Sequence, residues 1–258
     1  MYHNFYCHLK NTPFMDKTHG VIIDGFTSGG TNTVSSLRLM LTKSNKKNWE
    51  PDYSLGLIDL VKSAGISTYW LSNQGYLGYY DTPVSAIADK SDYTFFLKSG
   101  DYHRIIQVKD KKYDYLSCYI ASIQKTDEIL SKINKVLSEN YKISGRSYSM
   151  IYFADHGLAH REIDEKIVFN NSRESKRHYD IPLLKVSSDD THRTQYKVFK
   201  SGLMLVDGIA NWMGIENNYI QKGYDLFSME NDSDDFGLHQ RINKNHIPDD
   251  PAIDLTGK

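Results

Sequence analysis

No stretch of about 18 consecutive apolar residues occurs in this 258-residue sequence, so none of it reads as a membrane-spanning helix. The first ten residues, MYHNFYCHLK, hold no apolar core of the kind a signal peptide needs. On those two counts the chain alone has neither an anchor nor an export address and is expected to stay cytoplasmic. Cysteine is scarce. Cys7 and Cys118 can pair once at most, which excludes a disulfide scaffold, and their spacing is not that of a zinc knuckle. Charge of neither sign is in excess. A net charge of -1 offers no basic field to nucleic acid, and no nucleic-acid partner is expected. The 19 tyrosines are scattered and read as packing residues, and no internal repeat is visible.

What is present suffices for one large α/β domain, since 40% of the residues are hydrophobic. VIIDGF (Val21 to Phe26) predicts a short buried strand, and leucines with Met40 predict a helix from Asn32 to about Thr42. LGLIDLVKSAG predicts a helix stopped by Gly65, followed by a strand in ISTYWLSNQG. From Tyr115 to about Leu137, residues Ile120, Ile123, Ile129, Leu130, Ile133 and Leu137 recur with helical period. YSMIYFA (Tyr148 to Ala154) is apolar enough to be a central strand, DIPLLKVSS another strand, and Lys197 to Met213 another helix. The expected architecture is a mostly parallel sheet with helices on both faces, holding the strands at Val21–Asp24, Ile66–Leu71, Tyr148–Ala154 and Pro182–Val186. Residues 1–225 are read as the folded domain and 226–258 as a polar, loosely ordered tail.

Between the first strand and its helix stands SGGTNTVSS, Ser28 to Ser36. Glycines and hydroxyls before a helix gather N–H groups and side-chain oxygens around one concavity, which suits an anion or a nucleophile. The same residues are also ordinary turn and cap formers. Thr33, Asn73, Gln74, Asp155 and His156 all follow predicted strands, where the chemistry of doubly wound sheets collects. Asp155 and His156 offer a carboxylate and an imidazole to a metal, and a metal beside Thr33 would activate its hydroxyl. A lone Asp-His-Gly is equally a common turn, and His178 alone reads as a surface histidine.

Order and spacing decide between these readings. NTPFMD, GVIIDGFTSGGTNTVSSLRLMLT, DLVKSAGISTYWLSNQG, CYIASIQKTDEIL, YFADHG and HYDIPLLKVSSDD, in that order, resemble the phosphoethanolamine transferases of the alkaline phosphatase and sulfatase superfamily. The resemblance covers nearly all of residues 11 to 215. It implies an alkaline-phosphatase/sulfatase-like α/β fold, with Thr33 as nucleophile and Thr31 as its neighbour in the turn. It further implies zinc held by Thr33, Asp155 and His156, and a phospho-group contact at His178, with Asn73 and Gln74 among the substrate-binding positions. The implied substrates are phosphatidylethanolamine as donor and lipid A, lipopolysaccharide core sugars or periplasmic glucans as acceptor, at the periplasmic face of the inner membrane, through a phosphothreonine.

The sequence departs from the family pattern in three ways. The family's transmembrane helices and the strand ending in Gly-Glu-(Ser/Thr)-x-Arg, whose Glu binds zinc, have no counterpart here, so the first strand of the sheet is expected to be missing. No His-x-x-Gly-Ser-His segment lies within FFLKSGDYHRIIQVKDKKYDYLSCY. Leu158 stands where Glu usually follows Asp-His-Gly, leaving Glu162 or Asp164 as conceivable substitutes. A truncated, non-catalytic remnant is therefore the alternative expectation.

Overall fold

The computed structural model describes residues 11–72, 82–96, 114–164, 166–170 and 175–244. In chain order the elements are α1 (Pro13–Lys17), β1 (Gly20–Thr27), α2 (Thr33–Met40), α3 (Leu57–Ser63), β2 (Tyr69–Ser72), α4 (Thr82–Ala88), β3 (Tyr93–Phe96) and α5 (Asp114–Ser144). There follow β4 (Ser149–Phe153), β5 (Ala159–Ile163), β6 (Lys166–Asn170), α6 (Lys176–Tyr179), β7 (Leu183–Ser187), β8 (Arg193–Ser201), a 3-10 turn, α7 (Leu205–Trp212) and α8 (Leu238–Lys244).

The central sheet has the order β4-β7-β1-β8. β1 runs parallel to β8, while β7 runs antiparallel to both β1 and β4. Three strands thus point one way and β7 alone points back, which makes the sheet mixed where a mostly parallel one was expected. The reversal has a simple origin. The chain reaches β7 through α6, which lies at the end of the sheet where β1 and β4 finish, so it must enter from that end.

Alternation along each strand loads both faces. Met150, Leu184 and Val186 pack with Leu130 of α5 on one side, and Ile22 and Tyr152 join them. Ile23, Phe26 and Leu183 pack with Met40 of α2 and with Leu205 and Ile209 of α7 on the other. Helices on both faces are as expected.

Four expectations are corrected. Among the described residues β4 is terminal in the sheet's order, not central. It reads as apolar throughout because Met150 and Tyr152 meet α5 while Ile151 and Phe153 meet the opposite core, so cover on two faces needs no second neighbour. The strand expected at Ile66–Leu71 lies outside this sheet, β2 pairing in parallel with β3. Lys197–Met213 is not one helix, because its first residues belong to β8, where Thr194, Tyr196 and Val198 alternate with polar residues at the strand period. Finally, the stretch from 226 to 244 is ordered. Leu226 is fully buried in the main core, and Leu238 packs with Trp49, whose indole N–H donates to the Phe236 carbonyl at 2.7 Å.

Candidate metal centre and nucleophile

β1 and β4 finish, and β7 begins, at one end of the sheet. Three segments meet there: Ser28–Asn32, Asp155–Gly157 and Ser175–Asp180. Backbone bonds join them directly. Ser28 N–H donates to the Tyr179 carbonyl at 2.7 Å, and Gly157 N–H to the His178 carbonyl at 2.7 Å. Ser28 Oγ donates to the Gly30 carbonyl, with the His178 carbonyl 3.3 Å away. Gly157 is needed for this approach, since a Cβ there would stand 2.0 Å from the Arg177 carbonyl oxygen.

Thr33 is the first residue of α2. Asn32 caps that helix, its side chain accepting from Ser35 N–H at 3.0 Å, so the turn that presents Thr33 is fixed by a capping box. One turn further on, fully buried Ser36 donates its hydroxyl to the main-chain carbonyl of Asp155. The helix of the expected nucleophile therefore rests against the loop of the expected metal ligands. Gly30 permits the sharp entry, for a Cβ there would fall 2.3 Å from Ser35 Oγ.

Asp155 and His156 face one another across the turn. Asp155 Oδ1 accepts His156 N–H at 3.0 Å, and Oδ2 faces His156 Nε2 at 3.6 Å. The ring's other nitrogen, Nδ1, lies 2.8 Å from the Gly157 carbonyl. That carbonyl can only accept, so Nδ1 carries a proton, and Nε2 is the nitrogen turned toward Asp155. Two donors bound to one tetrahedral zinc at about 2.0–2.2 Å stand roughly 3.4 Å apart, so the pair fits the ion.

His178 is not at the surface. It is fully buried, its Nδ1 accepts Ser175 N–H at 3.2 Å, and its carbonyl receives Gly157 N–H. Thr31 is half-buried in the turn before Thr33. Asn73, Gln74 and Cys7 lie outside the described residues, while Cys118 is exposed on α5. Glu162 and Asp164 are exposed on the β5–β6 hairpin. Among the described residues no group of three His, Cys, Asp or Glu side chains is placed to hold a metal, so neither completes the centre. Asp180 was not singled out by the sequence. Burial, with the charge of Asp24 adding to it, pushes its carboxyl above the usual carboxylate range, against the pull of Lys176 and Arg177.

The family model described as sulfatase matches residues 4–113 and 100–215. The chain belongs to the sulfatase family. The two matched segments overlap at 100–113, the region in which the expected histidine segment has no match. A Haemophilus influenzae protein, whose name places it provisionally among the phosphoethanolamine transferases, is 45% identical over 218 residues, covering 65% of this chain and 45% of its own length. The phosphoethanolamine transferase OpgE of Escherichia coli is 26% identical over 94% of this chain and 54% of its own. The chain thus spans about half the length of these curated relatives. The C-terminal periplasmic domain of EptC from Escherichia coli superposes with a TM-score of 0.66 at 14% identity, covering 87% of this chain and 81% of that one. Its zinc complex gives 0.65. These likenesses establish an alkaline-phosphatase/sulfatase-like α/β fold. Among the described residues no helix is long and apolar enough to cross a membrane.

Proposed function

We propose that this chain is the catalytic portion of a zinc-dependent phosphoethanolamine transferase in which Thr33 is the nucleophile. The observation that carries the reading is the Asp155–His156 pair, its two donor atoms 3.6 Å apart, held by Ser36 against the helix that begins with Thr33. Asp155, His156 and Thr33 would hold the ion, which supplies positive charge for phosphoryl oxygens and lowers the pKa of a nearby hydroxyl.

In this reading Thr33 Oγ attacks the phosphorus of phosphatidylethanolamine. A phosphorus–oxygen bond forms to Thr33, the bond to the diacylglycerol oxygen breaks, and the threonine proton leaves with the diacylglycerol. An acceptor oxygen then displaces Thr33, which recovers a proton. The acceptor proposed is lipid A or lipopolysaccharide core, at the periplasmic face of the inner membrane. The Neisseria meningitidis lipooligosaccharide phosphoethanolamine transferase A, whose soluble domain superposes at a TM-score of 0.55, supports that class. His178 serves by fixing the Asp155–Gly157 turn through its carbonyl and by closing the α6 turn through its ring. Thr31 lies beside the nucleophile, with Asn73 and Gln74 proposed to face the substrate.

In this reading Thr33, Asp155 and His156 are the ligands within this sequence, and joining a family strand that carries the zinc-binding Glu is expected to raise zinc affinity. The test is zinc calorimetry on the 258-residue chain and on a version joined to a family strand ending in Gly-Glu-(Ser/Thr)-x-Arg. Mass spectrometry for phosphoethanolamine on Thr33 accompanies both. Weak zinc binding in the short chain, and tighter binding with an adduct in the longer one, supports the reading. No zinc and no adduct in either version would leave a non-catalytic relative.

A further inference from the structure

Among the described residues, three besides glycine hold a left-handed backbone: Trp49, Asp164 and Phe236. Asp164 turns the β5–β6 hairpin, where such a backbone is ordinary. Trp49, at φ 57°, and Phe236, at φ 52°, are bulky residues, which enter this region only where their surroundings hold them there. These two are bonded to each other. Across 187 residues of sequence, the Trp49 indole N–H donates to the Phe236 carbonyl at 2.7 Å.

The contact is packed on every side that the structure describes. Phe236 N–H donates to Asp234 Oδ1 at 2.8 Å, and Lys46 Nζ stands 5.6 Å from the centre of the Phe236 ring. The Arg241 guanidinium lies 4.2 Å from the centre of the indole, a cation on an aromatic face. Trp49 is buried, and with Leu203 and Leu238 it joins two side chains from the framework of the site, Leu39 of α2 and Tyr179 of α6. Tyr179 meets it edge to face, ring centres 6.2 Å apart and planes at 88°.

Tyr179 is the step from this cluster to the site. Its carbonyl accepts Ser28 N–H, and the carbonyl of the preceding residue, His178, accepts Gly157 N–H. α6 is thus one handle for two turns, the one that leads to Thr33 and the one that carries Asp155 and His156. With four residues it is too short to hold itself in place without packing. Its largest buried side chain, Tyr179, rests on Trp49.

We infer that Trp49 is a positioning residue for phosphoryl transfer: clasped by Phe236, it fixes Tyr179 and with it the α6 turn from which both halves of the site hang. The inference rests on the reading of Thr33, Asp155 and His156 given above. Trp49 acts through Tyr179 and touches no reacting atom. The segment around Phe236, 203 residues beyond Thr33, is then part of the catalytic scaffold. Strain at two residues persists because their bond, the indole stack and the shared cluster hold them together.

The test is hydrogen exchange of the full chain followed by NMR, with circular dichroism to check the fold of each variant. Amides of Ser28 and Gly157 report the two turns, and amides inside β1 and β7 report the core. Trp49→Phe keeps a ring against Tyr179 but removes the donor, and is expected to speed exchange at Ser28 and Gly157 about tenfold relative to the strands. Phe236→Pro forces φ negative, which redirects the carbonyl, and is expected to act alike. Phe236→Gly keeps the carbonyl and suits a left-handed backbone, so exchange at Ser28 should stay close to wild type. In the version joined to the family strand, Trp49→Phe should lower the maximal rate of Thr33 modification about tenfold and leave the half-saturating phosphatidylethanolamine concentration unchanged. Exchange at Ser28 that ignores Trp49→Phe, or quickens no more than in β1 and β7, would overturn the inference. So would Phe236→Gly matching Phe236→Pro, or an unchanged maximal rate. A selective response at Ser28 in a chain whose Thr33 takes no phosphoethanolamine even with the strand joined would overturn the transfer reading and leave the coupling standing.

Discussion

Ser36 and Asp155 stand 119 residues apart in sequence, and the hydroxyl of the first is bonded to the carbonyl of the second. Neither the capping box of α2 nor the Asp155–His156 turn would alone set the distance between Thr33 and Asp155, and this bond ties α2 to the turn. Ser36→Ala leaves a buried carbonyl without its donor, which costs about 1–3 kcal/mol. Zinc affinity is expected to fall together with thermal stability. Amide exchange at His156 and Gly157 should quicken whether or not zinc is present. An unchanged exchange rate would show that Ser36 only fills space.

Gly157 is the tighter constraint. A Cβ at this position would stand 2.0 Å from the Arg177 oxygen, so Gly157→Ala must separate the turn from α6 and break the bond to His178. The expected loss is at least about 2 kcal/mol, as for a forced backbone shift in a packed interior. Denaturant melts compared with Gly65→Ala measure the steric part. Gly65 has a positive φ but nothing within reach of a Cβ, so the smaller loss expected there reflects backbone strain alone.

Asp207 on α7 is fully buried. It is paired with Lys43 and, at 3.0 Å, with Lys46, and it also accepts Gln221 N–H at 2.7 Å. Burial alone would raise its pKa. The Gln221 N–H and the two lysines outweigh burial and hold the carboxyl below the ordinary range. A carboxyl depressed by folding contributes stability above its unfolded value, about 3.9, and loses it as pH falls through the lower folded value. Asp207→Asn should therefore cost about 3 kcal/mol at neutral pH. The gap to wild type should narrow in strong acid, which urea melts across pH would reveal.

Leu226 tests whether the last part of the chain belongs to the domain. It is fully buried in the main cluster, and Gly208 of α7 makes room for it, since a Cβ on that glycine would lie 2.5 Å from the Leu226 Cβ. Leu226→Ala is expected to cost about 2–5 kcal/mol. A variant as stable as wild type would mean that this stretch is an appendage.

The sequence marked most elements but not their neighbours. Helical period and turn glycines located α2, α3 and most of α5, because those signals are local. β4 was found, yet its place at the end of the strand order was not, since cover by α5 and by the opposite core mimics the apolarity of a central strand. The polar stretch after 225 concealed Leu226 and Leu238, two buried leucines in a segment whose average composition suggests solvent. Order along the chain singled out Thr33, Asp155 and His156, and the structure ties the helix of the first to the turn of the other two. Ser36 was not legible, because a buried serine that bonds to a distant carbonyl looks in sequence like any helical serine. His178 was legible as a position but not as a buried one.

β1 has neighbours only from the far end of the chain: Ile23 pairs with Leu183 on one side and Val21 with Thr194 on the other. On a ribosome, then, the first strand emerges long before either of its partners, and the interval is filled by α5, which has to wait for β4 and β7 before its inward face is covered. Assembly of the sheet is expected to begin only once synthesis passes Ser187 and to finish past Ser201, so that the Ser28–Ser36 turn and the Asp155–His156 turn acquire their relative positions late. Nascent chains stopped before Leu183 should expose β1 and the inner row of α5 together, and should be bound by chaperones that chains extended past Ser201 no longer need.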